Sequence, residues 1–206
     1  MKSLYLNGVV IRLFTIYMNN KITVGVDVDD VLLDTLPLWL EHLNGMTGQN
    51  LKCTDITDWH IKDFVRDPFK PFVFNPLNYS VFWKSVLPIE SSIEPLQEML
   101  SDDKLKIYIV SATWATTPNE KWKRFVSLFP FVDIENIILI HDKQLLGLDY
   151  IIDDNPRNLK ENDILINKPH NKCLDDEKMG IYRVNTLSDA YEIIKEDKCY
   201  IQTIQQ

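Results

Sequence analysis

Residues 22–35 read ITVGVDVDDVLLDT. Ile22 to Val26 form a short apolar run that stops abruptly on Asp27, the pattern of a buried parallel strand ending in a polar loop. The same grammar returns along the chain. Lys106 to Val110 (KIYIV) ends on Ser111, Ile137 to Ile140 (IILI) on His141, Asp142 and Lys143, and Tyr150 to Ile152 (YII) on Asp153 and Asp154. A fifth run, Ile164 to Ile166, precedes Asn167. Helical patterns lie between these runs. Thr117, Pro118, Asn119 and Glu120 supply a capping residue, a proline at the first helical position and a glutamate three residues after the cap, which predicts a helix to about Phe129. Ile93 to Leu100 and Ser188 to Lys195 are shorter amphipathic candidates. Strands alternating with helices predict an α/β fold, a parallel sheet covered on both faces with right-handed crossovers. Ligands in such sheets sit beyond the carboxyl ends of the strands, where every polar cluster named above falls.

The rhythm breaks between about Leu36 and Ser92. This stretch holds Pro37, Pro68, Pro71, Pro76 and Pro88 with Trp39, Trp59, Phe64, Phe69, Phe72, Phe74, Tyr79, Phe82 and Trp83, and no clean βαβ unit fits inside it. It reads as a small, largely helical cap over the active edge, inserted between the first and second core strands. The expected organisation is an N-terminal extension (1–20), a core (21–35 and 93–206) and the cap (36–92).

With 206 residues, 45% of them hydrophobic, the chain can bury one core plus a modest insert, so disorder is not the default. The formal charge of −8 sets the surface against polyanions such as DNA, while small metal-bound phosphate esters remain acceptable partners. Cys53, Cys173 and Cys199 are odd in number and match no zinc-ligand or CxxC spacing, so they read as reduced residues in a cytoplasmic setting. Residues 1–18 (MKSLYLNGVVIRLFTIYM) are apolar enough to suggest a signal peptide or membrane segment. Asn7 and Arg12 interrupt the run and no small-residue cleavage site follows, so no membrane association is expected. The alternative is that Met18 is the natural start and the earlier stretch is a poorly packed extension.

Asp27 and Asp29 alone are a weak signal, because an acidic protein produces DxD by chance. Their position is what informs: carboxylates crowded at a strand end repel one another, and a cation or a shared proton relieves the repulsion. Asp153 and Asp154 repeat the situation, and oxygen-only ligands of this kind suit Mg²⁺ rather than zinc. A calcium loop starting at Asp27 fails, because its sixth position is Leu32 rather than glycine and its twelfth is Leu38 rather than glutamate. Solvated loop aspartates are the bland alternative for each cluster, and a serine and a lysine at two other strand ends argue against it. Phosphate chemistry then assigns roles. Asp27 can form an aspartyl-phosphate. Asp29 can give a proton to the leaving alkoxide and take one from the attacking water. Ser111 and the backbone N–H groups of the loop opening at Ala112 can hold phosphoryl oxygens, and Lys143 can offset charge on phosphate and nucleophile.

An apolar strand followed by DVDDVLLDT, a strand followed by Ser111, an isolated Lys143 and a strand followed by DD together resemble the four motifs of haloacid dehalogenase phosphatases. Within that superfamily the chain resembles the 5'(3')-deoxyribonucleotidases. ITDWHI (56–61), VFWKSVLPI (81–89), NEKWKRFVSLF (119–129), IILIHDKQLLGLDYIIDDNPRN (137–158) and INKPHNK (166–172) carry the likeness across most of residues 22–195. The resemblance implies a Rossmann-like core with a cap and a phosphomonoesterase acting on nucleoside monophosphates. It also implies Mg²⁺ held by Asp27, the backbone carbonyl of Asp29 and one or both of Asp153 and Asp154. The family's cap stacks aromatic residues on the base, and Trp59, Phe74, Phe82 and Trp83 are the matching candidates; the competing role for each is the cap's own core.

The chain departs from the family at Asp30, where glycine is usual, and at Thr35 and Asn155, where substrate-contacting aromatic and basic residues often stand. These departures bear on base and sugar preference. Lys121 is a second candidate for phosphate contact, with a solvated helix lysine as the favoured alternative, and His170 is expected to be structural. The expected partner is a small nucleotide rather than a polymer, with a homodimer as an open assembly state. Two further readings remain: a phosphatase for another small ester or a nucleic-acid 3'-phosphate, and a non-catalytic nucleotide-binding protein.

Overall fold

The computed structural model describes residues 21–113 and 116–196, together with the backbone of an antiparallel pair, β1 (Leu4–Leu6) and β2 (Val9–Ile11). Apart from those two strands, the expected N-terminal extension lies outside the described residues, as does Cys199. Among the described residues Cys53 and Cys173 are free thiols. No helix among them is long and apolar enough to cross a membrane.

β3 (Ile22–Val26) is the centre of a parallel sheet, paired with β4 (Leu105–Ser111) on one side and β6 (Tyr150–Asp153) on the other. β5 (Ile137–Leu139) lies outside β4, while β7 (Ile164–Ile166) and β8 (Tyr182–Val184) continue beyond β6. The order is therefore β5-β4-β3-β6-β7-β8 with every pairing parallel. The five expected strands are all present and a sixth joins them. β8 has no apolar run to betray it, because at the sheet edge Tyr182 is exposed and Arg183 half-buried, leaving only Val184 in the core. The chain moves outward from β3 through β4 to β5, then crosses back to start β6 on the opposite side. That reversal opens a crevice at the carboxyl ends of β3 and β6.

Among the described residues six α-helices accompany the sheet: α1 (Thr35–Thr47), α2 (Ser80–Ser85), α3 (Glu90–Ser101), α4 (Asn119–Leu128), α5 (Asp176–Met179) and α6 (Leu187–Glu196). α4 begins at Asn119 rather than at the expected capping box, because Pro118 is extended at ψ 150° and no side chain caps the helix. Its Lys121 and Phe125, with Phe129 just beyond its end, recur every four residues and form one buried stripe, and the Phe125 and Phe129 rings stack 5.0 Å apart. The main core joins this stripe to β3, β4 and β6 and also takes in Phe82, Trp83 and Val86.

Residues 35–89 run through α1, four 3-10 turns and α2 before rejoining the core, with Leu33 bridged to Pro88. Leu36, Leu40 and Leu43 share one face of α1 and build a second, smaller cluster with Ile56, Ile61, Val65 and Val73. Trp39 closes it by donating its indole N–H to the Val73 carbonyl at 2.8 Å. Truncating the fully buried Phe125 to alanine should cost about 3–5 kcal/mol of folding stability, read by chemical denaturation. A loss below about 1 kcal/mol would show that α4 does not anchor on this ring.

Candidate active site

Asp27 is the first residue past β3, and its N–H donates to the Ile152 carbonyl of neighbouring β6 at 2.9 Å. Asp153 ends β6 one strand away. Lys143, in the turn after β5, is only 1% exposed and reaches both: its Nζ lies 2.5 Å from Asp27 Oδ1 and 2.6 Å from Asp153 Oδ2. The structure thus brings together residues that the sequence separates by more than a hundred positions.

The two adjacent aspartates have different surroundings. Asp153 is saturated: Oδ1 accepts from the Asn155 N–H at 2.8 Å, and Oδ2 accepts from Asn158 Nδ2 at 2.8 Å as well as from Lys143. Asp154 is equally buried, yet its Oδ2 accepts no hydrogen bond. His170 Nε2 lies 3.0 Å from it but outside hydrogen-bonding geometry, so both buried atoms are unsatisfied. Oxygens of Asp27, Asp153 and Asp154 lie within 4.8 Å of one another. One buried ammonium faces three buried carboxylates, an imbalance that a cation resolves.

The titration behaviour follows from this crowding. Burial first, then the Asp153 charge, pushes the Asp27 carboxyl well above the usual range, while Lys143 pulls the other way. Asp154 is raised for the same leading reasons. Lys143 is held above its ordinary value because Asp27 and Asp153 outweigh the burial that opposes its charge. Burial lowers the His170 imidazole and so favours its neutral form. Asp30 adopts φ 56° in the left-handed region. Its Oδ1 accepts from the Thr35 and Leu36 N–H groups at 3.2 and 2.8 Å, capping α1 from outside the helix. Burial, with the Asp154 charge second, pushes its pKa to about 7.

Asp29 points to the other side of the crevice. Lys121 Nζ lies 2.6 Å from its Oδ2, and Thr35 Oγ1 donates to its Oδ1 at 3.1 Å. The same ammonium donates to Ser111 Oγ at 3.2 Å. Ser111, the last residue of β4, is fully buried, and Ala112 opens the following loop half-buried. The reading of Lys121 as a solvated helix lysine is therefore corrected: it is 2% exposed and lies 4.8 Å from the Trp83 ring centroid. The signal was available, since Lys121 falls four and eight residues before Phe125 and Phe129 on one helical stripe.

Of the four expected base-contacting aromatics, the structure keeps two open. Trp59 and Phe74 are 40% and 39% exposed, and Trp59 stands edge-on to His170 at 5.1 Å. Phe82 and Trp83 are corrected to core residues: Phe82 is fully buried and packs T-shaped on Trp83 at 5.0 Å. Asn155 caps its own following turn, its side-chain oxygen accepting from the Arg157 N–H at 3.1 Å. Arg157 instead reaches His60 Nε2 at 3.0 Å, tying the inserted stretch to the sheet.

A parallel sheet with carboxylates, a lysine and a serine gathered at four contiguous strand ends defines a hydrolase fold of the haloacid dehalogenase type. Solved structures bear this out for the fold. A haloacid dehalogenase family hydrolase from Deinococcus radiodurans with bound phosphate and sodium superposes at TM-score 0.58, with 17% identity over 85% of this chain and 96% of that one. A haloacid dehalogenase hydrolase from Bacillus subtilis bound to magnesium gives TM-score 0.52, with 17% identity over 84% of this chain and 98% of that one. The chain itself belongs to the family described as 5' nucleotidase, deoxy (pyrimidine), cytosolic type C, whose model matches residues 20–200. The 5'(3')-deoxyribonucleotidase of Clostridium acetobutylicum is 35% identical over 159 residues, 74% of this chain and 86% of the relative. The protein is accordingly an enzyme, a phosphoric monoester hydrolase.

The raised carboxyls predict a pH dependence for the metal-free protein. Asp27, Asp30 and Asp154 hold protons in the folded state that the unfolded chain releases near pH 4, so folding stability falls as pH rises through the folded pKa values, near 7 for Asp30. His170, lowered in the fold, offsets part of this below about pH 6.5. In chelator, thermal melting should occur at higher temperature at about pH 5 than at about pH 8. Melting that is higher at the alkaline end would contradict the burial of these carboxyls.

Proposed function

We propose that the enzyme hydrolyses deoxyribonucleoside and ribonucleoside monophosphates with Mg²⁺, through an aspartyl-phosphate on Asp27. The observation that carries this reading is the convergence of Asp27, Asp153 and Asp154 around Lys143, with one Asp154 oxygen left without a partner. The donor set is all oxygen, which fits Mg²⁺. Asp27, the backbone carbonyl of Asp29 and Asp154 would hold the ion. Between the adjacent aspartates Asp154 is favoured, because Asp153 already accepts three hydrogen bonds. When bound, Mg²⁺ supplies Lewis-acid neutralisation of the phosphoryl charge that an anionic nucleophile must approach.

The chain's own groups carry the rest. Lys143 holds Asp27 Oδ1 and orients the carboxylate, leaving the second oxygen to attack phosphorus. The P–O ester bond breaks as the Asp27 oxygen–phosphorus bond forms, and Asp29 gives a proton to the departing alkoxide. Asp29 then takes a proton from the water that hydrolyses the aspartyl-phosphate, restoring Asp27 and releasing inorganic phosphate. Ser111 and the N–H groups from Ala112 onward bind phosphoryl oxygens in both steps. Residues 36–92 serve as a cap whose exposed Trp59 and Phe74 receive the base. The surrounding acidity, net −8 for the chain, favours a small nucleotide over a polymer, and the cytoplasmic nucleotide pool is the natural supply.

A panel of nucleoside and deoxynucleoside monophosphates with Mg²⁺ and a phosphate readout tests the assignment. At least one nucleotide should be hydrolysed, and Asp27→Asn should lower the rate on the order of a thousandfold. Release no faster than in that variant across the whole panel would refute the reading. Asp154→Asn should weaken Mg²⁺ binding about 10- to 100-fold by calorimetry, more than Asp153→Asn does.

A further inference from the structure

The site contains two buried ammonium groups, and only Lys143 serves the nucleophile. The other, Lys121, is enclosed by aromatic rings, with centroids of Trp83 at 4.8 Å and Trp122 at 5.4 Å. Its polar contacts are Asp29 Oδ2 at 2.6 Å and Ser111 Oγ at 3.2 Å. Asp29 is engaged at both oxygens, since Thr35 Oγ1 holds Oδ1 at 3.1 Å. Both carboxylate oxygens are thus spent on protein partners, although the side chain is 33% exposed and so borders the open crevice. Ser111, the lysine's other partner, is at the strand end where a phosphoryl oxygen is expected.

We propose that Lys121 is a phosphate contact that exchanges Asp29 for the substrate. A phosphoryl oxygen arriving at Ser111 accepts from the Lys121 ammonium, and the Asp29 carboxylate leaves the ion pair. The exchange is non-covalent: one ion pair replaces another, so the buried cation is never left unpaired. A phosphate monoester is the stronger competitor, because it brings up to two negative charges and three acceptor oxygens against one carboxylate. The anion at this position is inferred from geometry; that it belongs to a nucleotide rests on the function proposed above. A lysine present only to balance Asp29 would instead stay in place, and its loss would change stability without changing phosphate affinity.

Inorganic phosphate is the probe, titrated by calorimetry into the full-length chain with Mg²⁺. Tryptophan emission is followed in parallel, because phosphate should draw the ammonium away from Trp83 and Trp122. Lys121→Met should bind phosphate about 10- to 100-fold more weakly and lose the phosphate-dependent part of the emission change. Asp29→Asn keeps the lysine but removes the competing charge, and should bind phosphate about 3- to 10-fold more tightly than wild type. This second variant decides the matter if Lys121→Met does not fold. Unchanged phosphate affinity in folded Lys121→Met, or unchanged or weaker affinity in Asp29→Asn, overturns the proposal. Phosphate binding through Lys121 without turnover of any nucleotide would refute the substrate assignment alone. Nucleotide turnover with phosphate affinity independent of Lys121 would refute the exchange alone.

Discussion

The ion-pair bridge from Lys143 to Asp27 and Asp153 is the contact on which the site depends. Three buried carboxylates within 4.8 Å would repel one another out of a folded core without a cation, and Lys143 compensates part of that charge from inside the protein. The turn carrying Lys143 follows an edge-side strand, β5, whereas Asp27 and Asp153 end the two strands that flank the crevice. The lysine therefore ties the outer part of the sheet to its centre, and the sheet's register fixes which oxygens face one another.

The neighbouring carboxylate shows how local backbone and global charge combine. Asp30 occupies a left-handed conformation that costs a non-glycine residue roughly 1–2 kcal/mol. Its side chain returns part of that by accepting two N–H groups at the start of α1, where Asp34 at the capping position provides no side-chain bond. Asp30 thus serves as a helix cap, with one more acidic group set beside Asp154.

α4 links the two halves of the site to the core. Phe125 and Phe129 bury the helix against the sheet, and the position one turn earlier on the same stripe presents Lys121 to Asp29 and Ser111. The stripe reads as ordinary amphipathic packing until its first member proves to be a cation. The aromatic residues Phe82 and Trp83 have the opposite history. They sit in a stretch rich in exposed rings, yet α2 packs against α4 and takes both into the main core, where Trp83 lines the lysine's pocket.

The one-dimensional pattern determined the architecture and the chemical inventory. Short apolar runs ending on Asp27, Ser111, Lys143 and Asp153 identify strands and their functional ends, because a buried parallel strand must be apolar along its length and can turn polar only where it leaves the sheet. It was silent on β8, since an edge strand with one buried residue leaves no such run. Tertiary structure alone decided the roles of adjacent or similar residues. Asp153 and Asp154 are equivalent in sequence, and only the positions of Lys143, Asn155 and Asn158 saturate one and leave an oxygen of the other free. Likewise the four aromatics were assigned by which neighbours cover them, a property of surfaces that meet from distant parts of the chain and so is not written in any local run of residues.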